Sequence, residues 1–136
     1  MPLNNIFIRL KHKHRNASKA KLIGDFLNQS KTIVDVGTVS GGLANYLSQH
    51  NFEITAVDIT DKTVYRDITP IVYDGYRLPL ENESFDASML ITVLHHCPNP
   101  EQVFDEAVRV SKKKIIVLED VYPSWVMKHL SWSWIL

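Results

Sequence analysis

Short apolar runs alternate with amphipathic segments along this chain, and most runs end beside a glycine or an acid. Because the runs are short and rich in β-branched residues, they predict strands rather than helices. The five predicted strands are 32–36 (TIVDV), 52–58 (FEITAVD), 71–73 (IVY), 85–93 (FDASMLITV) and 114–119 (KIIVLE). The fourth is almost continuously apolar, which is typical of a strand buried on both faces of a parallel sheet.

Segments with helical spacing separate several of these strands. Residues 16–28 place apolar side chains at helical intervals, and a second helix follows the glycines of residues 37–42. A third helix begins at Asn99, which is followed by a proline and then an acid. Within it, Asp105 and Arg109 are expected to form an exposed ion pair. The alternation predicts an α/β fold with a doubly wound, mainly parallel Rossmann-like sheet.

Two terminal segments flank the predicted core of residues 16–122. Residues 1–15 are polar and basic around a small apolar patch, so we expect an irregular or loosely docked arm. Residues 123–136 carry all three tryptophans of the chain and predict an amphipathic C-terminal helix. The chain is therefore expected to contain one domain with a basic N-terminal arm and a terminal helix.

Composition narrows the function classes only a little. The 136 residues include 15 Lys or Arg and 15 Asp or Glu, and zero net charge argues against a general polyanion binder. The basic residues concentrate within residues 1–31, where a solvated helix face is a better interpretation than a nucleic-acid contact. The single cysteine, Cys97, allows no internal disulfide. We expect a cytoplasmic protein with neither a secretory signal nor a membrane span.

Residues able to bind a ligand follow four of the predicted strands. The glycine loop of residues 37–42 follows the first strand, Asp58 ends the second, Asp74-Gly75 follows the third and His95-His96 follows the fourth. Because the carboxyl ends of parallel strands meet at one edge, these residues are expected to form one site. An acid such as Asp58 can accept both hydroxyls of a ribose. Asp74 can accept an exocyclic amine, although Asp-Gly is equally common in simple turns.

Other residues leave the ligand open at this stage. Asp35 lies inside the first strand, where a buried carboxylate needs a partner. Val39 stands where a second glycine is expected, and a positive φ there would cost about 1–3 kcal/mol. The glycine spacing of a nicotinamide-dinucleotide domain also fits this loop, again with Val39 in place of the second glycine. His95 is a weak candidate general base, and no metal is expected because adjacent histidines diverge without a third ligand.

From about residue 16 to 120, the chain resembles the class I S-adenosylmethionine-dependent methyltransferases, in particular the type 11 methyltransferase domain. The motifs that carry this resemblance are Val34-Asp35-Val36-Gly37 with Gly41, Val57-Asp58, the run DGYRLPLENESFD (74–86) and the run VLHHCPNPEQVFDEAVRV (93–110). The resemblance implies S-adenosyl-L-methionine as cofactor and a strand order of 3-2-1-4-5.

The resemblance also implies roles for particular residues. Asp35, Gly37 and Gly41 would surround the methionine part of the cofactor, and Asp58 would hold its ribose. The remaining implied site residues are Asp74 for the adenine amine, Gly75 beside the ring, and Leu94 and His95 lining the reaction pocket.

The resemblance implies methyl transfer to an unidentified small-molecule substrate. Its family normally continues past the fifth strand into antiparallel strands, so a chain that ends at Leu136 is expected to be truncated and to lack them. An alternative hypothesis is a catalytically inactive methyltransferase-like domain that acts as a binding module. In that case the Trp-rich C-terminal helix would hold a protein partner. Nucleic acid is not an expected partner.

Overall fold

A six-stranded sheet with helices on both faces forms the described part of the chain. The computed structural model describes residues 3–121 and 132–135. In chain order, the elements are α1 (Leu3–Gly24), β1 (Thr32–Val36), α2 (Gly42–Ser48), β2 (Glu53–Asp58), β3 (Ile71–Val72), β4 (Phe85–Ile91), a 3₁₀ turn (Leu94–His96), α3 (Pro100–Val110), β5 (Ser111–Val121) and β6 (Trp132–Ile135).

The order of strands is β3-β2-β1-β4-β5-β6, and the first five are parallel. The predicted order 3-2-1-4-5 is therefore confirmed. The central strand β1 pairs with β2 and β4, so that Asp35 lies between Ala56 and Met89. Alternate residues of β1 enter opposite cores: Ile33 packs in the core with α1 and α2, and Val34 in the core with α3. Burial on both faces explains the continuous apolar runs.

Strand β6 was not anticipated. Residues 132–135 form a strand antiparallel to β5, with Leu118 opposite Ile135, rather than part of the predicted helix. This edge of the sheet therefore carries one antiparallel strand, although the sequence predicted none. The outer edge of β5 offers unpaired backbone groups, and the sequence WSWI has the aromatic and branched residues that favour such pairing. The rest of the predicted helix lies outside the described residues.

The N-terminal arm is helical, so the expectation of an irregular arm was wrong. Helix α1 begins at Leu3 and runs to Gly24. No glycine or proline interrupts residues 3–23, and the guanidinium of Arg9 lies 4.7 Å from the ring centroid of Tyr65. That contact and packing against α2 stabilise a segment whose charge pattern alone indicates only a solvated face.

The expected ion pair of α3 is also different. Arg109 pairs with Glu106, not Asp105: its Nε and Nη2 lie 2.8 and 2.6 Å from the Glu106 carboxylate oxygens. Glu106 is buried and also accepts the N–H of Leu78 at 2.8 Å. Arg109 further donates to the carbonyls of Leu78 and Leu80. This network holds the loop between β3 and β4 against α3.

Replacing Glu106 by Ala is expected to lower the free energy of unfolding by about 2 to 3 kcal/mol, because it leaves Arg109 and the Leu78 N–H with fewer partners. Urea unfolding measures this change. The neighbouring substitution Asp105→Ala is the control, because that side chain is exposed, and it should cost less than about 0.5 kcal/mol. Equal effects of the two substitutions would contradict the assigned network.

Candidate functional site

The loop after β1 contains three residues in the left-handed region of backbone space. Gly37, Val39 and Gly41 have φ of 79°, 51° and 76°. A Cβ at Gly37 would lie 2.3 Å from Cγ2 of Val93, so only glycine fits there. Val39 is a β-branched residue in the same backbone region, and its φ is the strained one that the sequence analysis considered.

The N–H groups of this loop are mostly used within the protein. Gly37 and Thr38 donate to the carbonyl of Val57 at 2.8 and 3.3 Å, and Gly41 donates to the carbonyl of Thr38 at 2.9 Å. Val39 donates to Oδ2 of Asp58 at 2.8 Å. Four of the five N–H groups of residues 37–41 are therefore occupied. A loop that cradles phosphate needs such groups to be free.

Asp58 joins the loop after β1 to the end of β2. Its Oδ1 accepts the N–H groups of Ile59 and Thr60 at 2.7 and 3.3 Å, while Oδ2 accepts that of Val39. An ionised carboxylate oxygen can accept two hydrogen bonds. Among the described residues Oδ2 accepts only one, so it retains capacity for a ligand hydroxyl.

Asp35 is buried at the carboxyl end of β1. Its pKa is raised to about 6, chiefly because burial disfavours the ionised form, and the nearby Asp58 charge adds to the rise. The Thr38 hydroxyl and Lys19 of α1 oppose it. Thr38 Oγ1 is itself buried and, among the described residues, makes no hydrogen bond of good geometry. Asp35 and Thr38 thus present polar atoms suited to a cationic ligand.

Asp74 and Gly75 lie after β3 in a tight turn. Oδ1 of Asp74 accepts the N–H groups of Tyr76 and Arg77 at 2.8 and 3.0 Å, which lowers the pKa of Asp74. Gly75 has a φ of 84°. The turn-forming interpretation of Asp-Gly is therefore correct for Oδ1. Within the described part of the chain, Oδ2 accepts no hydrogen bond and remains available to a donor.

Leu94 and His95 begin the 3₁₀ turn after β4, and Glu119 of β5 holds them. Oε1 of Glu119 accepts the N–H groups of Val93 and Leu94 at 2.8 and 2.7 Å. Its Oε2 lies 2.5 Å from Nδ1 of His95. Glu119 was not among the predicted site residues, although it is a polar residue near the carboxyl end of its strand, as are those at the ends of the other four strands.

The structure brings all the predicted site residues to one edge of the sheet. A Cβ at Gly37 would clash with Val93, Val39 donates to Asp58, and a Cβ at Gly75 would lie 3.5 Å from Ile59. Four carboxylates therefore lie along this edge, those of Asp35, Asp58, Asp74 and Glu119, which favours a cationic ligand over an anionic one. In the part of the chain that is described, no three His, Cys, Asp or Glu side chains converge as metal ligands would.

Among the helices of the described residues, none is both long and apolar enough to cross a membrane.

Comparison with known families agrees with this architecture. Residues 34–118 match the model of a methyltransferase domain family, type 11. Since the match covers more than half of the chain, this protein belongs to that methyltransferase family, and the resemblance found in the sequence is confirmed. Among proteins of curated function, none matches the chain by sequence.

Solved structures share the fold. A Pyrococcus horikoshii protein is 25% identical, with a TM-score of 0.71 over 80% of this chain and 58% of its own. A SAM-dependent methyltransferase from Aquifex aeolicus is 17% identical, with a TM-score of 0.64 over 76% and 65%. A Haloferax volcanii complex of the Trm112 methyltransferase activator with a methyltransferase matches at 20% identity, with a TM-score of 0.62 over 89% and 64%. This chain thus spans only 58–65% of these structures.

Replacing Val39 by Gly is expected to raise the free energy of unfolding by about 1 kcal/mol, because relief of the left-handed strain exceeds the extra freedom of glycine in the unfolded chain. Chemical denaturation measures it. Val72→Gly is the matched control: both valines are 56% exposed, but Val72 lies in a strand and should lose about 0.5–1 kcal/mol. Destabilisation at both positions would show that Val39 is not strained.

Replacing Asp35 by Asn is expected to stabilise the protein at about pH 8, because the folded protein no longer buries a charge. In the wild type, the pKa of Asp35 is about 6 when folded and 3.8 when unfolded. Stability therefore falls as pH rises through that interval, by up to about 3 kcal/mol. The advantage of the variant should disappear below about pH 4.

The control is Asp86→Asn, for which the sign is opposite. The N–H groups of Lys31 and Thr32 lower the pKa of Asp86 to about 2, so its ionised form stabilises the folded state at neutral pH. Asp86→Asn should therefore destabilise the protein at about pH 8, and this loss should shrink in strong acid. Thermal unfolding across pH measures both variants. Stabilisation by both, or by neither, would contradict the assigned environments.

Proposed function

We propose that this chain is the core of an S-adenosyl-L-methionine-dependent methyltransferase that acts on a small molecule in the cytoplasm. The observation that carries the proposal is the acidic lining of the site. Asp35, Asp58 and Asp74 lie at the carboxyl ends of three adjacent strands, beside a loop in which four of five N–H groups are already bonded. S-adenosylmethionine brings a sulfonium and an ammonium, and both positive charges suit such a site.

The same observation disfavours the dinucleotide alternative. A nicotinamide dinucleotide places its pyrophosphate against the free N–H groups of the glycine loop. Here Asp58 occupies the N–H of Val39 with a negative charge, and Asp35 lies buried nearby. A pyrophosphate would therefore meet two carboxylates and few donors.

The proposed assignments follow the family resemblance, and two of them use carboxylate oxygens that can still accept a hydrogen bond. Asp35 and the loop residues Gly37 and Gly41 would hold the methionine part of the cofactor, and Oδ2 of Asp58 would accept from the ribose. Oδ2 of Asp74 would accept the adenine amine beside the Gly75 N–H.

Leu94 and His95 would line the pocket where the acceptor binds. The bound cofactor supplies a methyl group on a good leaving sulfide, so the protein needs mainly to align the reactants and exclude water.

A protein partner is part of the proposal. This chain spans 58–65% of the structures described above, and one of them contains an activator protein. We propose that this chain also binds a protein partner. The Trp-rich segment is the sequence-based candidate for that contact, although its side chains lie outside the described residues.

Titration calorimetry tests the cofactor assignment. Asp74→Asn keeps the turn, because the amide oxygen can replace Oδ1, but it puts a donor where Oδ2 would accept the adenine amine. Affinity for S-adenosylmethionine should fall about tenfold or more. Asp61→Asn is the control, since Asp61 also forms a local turn, with Thr63, but is not among the proposed cofactor-binding residues. It should leave affinity unchanged.

Two outcomes would overturn the proposal. If neither S-adenosylmethionine nor its demethylated product binds at millimolar concentration, the chain is an inactive methyltransferase-like module, the alternative that the sequence allowed. If NADH binds tightly and S-adenosylmethionine does not, the dinucleotide hypothesis replaces it.

A further inference from the structure

Glu119 and His95 form an oriented pair at the edge of the candidate site. Glu119 comes from β5, whereas His95 lies in the turn after β4, so two neighbouring strands position the pair. The Glu119 side chain is 14% exposed and that of His95 is 33% exposed. The carboxylate is thus largely enclosed, while solvent or a substrate can reach the imidazole.

The two carboxylate oxygens of Glu119 have different partners. Oε1 accepts two backbone N–H groups, from Val93 and Leu94, which holds the carboxylate in one orientation. Oε2 is left for Nδ1 of His95. Because an ionised carboxylate only accepts hydrogen bonds, Nδ1 must carry the hydrogen. In the neutral imidazole, Nε2 then has a free lone pair.

The pair lies beside the glycine loop. Val93, which precedes the turn, is the residue that a Cβ at Gly37 would strike. Within the described part of the chain, Nε2 of His95 has no hydrogen-bond partner. The neighbouring His96 ring lies 3.9 Å away, centroid to centroid, and has no carboxylate of its own among the described residues. Of the two adjacent histidines, only His95 is thus oriented as a base.

We propose that His95 accepts a proton from the methyl acceptor through Nε2, and that Glu119 is the residue that positions it. The proposal rests on the proposed function and specifies its substrate class: a small molecule methylated on a hydroxyl oxygen. A neutral amine can attack through its lone pair, and a thiol ionises readily near neutral pH. A hydroxyl remains protonated, so it gains most from an oriented base.

The hydroxyl oxygen forms a bond to the methyl carbon while the carbon–sulfur bond breaks, and that electron pair stays on sulfur as a neutral thioether. The hydroxyl proton passes to Nε2 of His95. The resulting imidazolium is stabilised by the Glu119 carboxylate and later returns the proton to water.

The substitution Glu119→Gln should change the tautomer of the His95 imidazole without disturbing the packing of the turn. The glutamine oxygen can keep the N–H groups of Val93 and Leu94, so the turn should be preserved. Its NH₂ group then faces Nδ1 of His95 and donates to it. The neutral imidazole must change to the Nε2–H tautomer, which has no lone pair on Nε2.

Nitrogen-15 NMR of the histidine-labelled protein without cofactor, at about pH 8, reads this change directly. We expect Nδ1–H at His95 in the wild type and Nε2–H in Glu119→Gln. His95→Gln identifies the His95 signals, and His96→Gln should leave the His95 tautomer unchanged. An Nε2–H tautomer in the wild type, or no change in Glu119→Gln, would overturn the proposal.

Chemical reactivity provides a second readout. Diethylpyrocarbonate acylates the unprotonated nitrogen of an accessible imidazole. Modification of His95 should slow about tenfold in Glu119→Gln, relative to His96 of the same molecule, as peptide mass spectrometry would show. An unchanged ratio would mean that Glu119 does not control Nε2.

Transfer of a labelled methyl group tests the substrate class, with phenol and thiophenol as matched acceptors. Methylation of phenol that falls about 100-fold in Glu119→Gln supports the proposal, whereas methylation of thiophenol alone contradicts it. Calorimetry with S-adenosylmethionine distinguishes failure of the proposed function from failure of this inference alone. If the wild type binds no cofactor, the proposed function fails even when the tautomer is as expected. If it binds cofactor but has the other tautomer, only this inference fails.

Discussion

The hydrogen bond from the Val39 N–H to Asp58 is the contact on which the site depends. It joins the loop after the central strand to the end of the next strand, and Val39 has a φ of 51° there. Once this bond forms, a carboxylate occupies the loop where a phosphate-binding protein keeps free N–H groups. The bond thus disfavours an anionic ligand at this loop, and it offsets part of the backbone strain at Val39.

Acids near the ends of several strands hold the neighbouring loops in the same way. Asp58, Asp74 and Glu119 each use carboxylate oxygens to satisfy backbone N–H groups of a loop that leaves the sheet. These bonds satisfy donors that the loops would otherwise leave unpaired, and they fix the direction of the remaining oxygen. Structure and chemistry are therefore linked, because the bonds that shape each loop also decide which atom faces a ligand.

Sequence periodicity was a good guide to the core and a poor guide to the ends. Strands β1 and β4 are buried on both faces, so their apolar runs were easy to read. The first turns of α1 carry no such signal, since their conformation depends on the contact with Tyr65. The four residues of β6 carry none either, because they pair with the edge of β5. Likewise, helical spacing alone predicted an ion pair between Arg109 and Asp105. In the structure Arg109 pairs with Glu106 instead, because the loop of Leu78 and Leu80 hydrogen-bonds to both of these side chains.

By itself, the sequence determined the parallel sheet, its membership of the methyltransferase family, and the positions of the acids and glycines. These features are local, because they follow from strand patterns and from residue types at strand ends. Only the tertiary structure decided which carboxylate oxygens stay available, that Val39 adopts a positive φ, and that Glu119 orients His95. Those properties arise where separate strands meet, and the identity of a residue does not reveal which partner its atoms have already bonded.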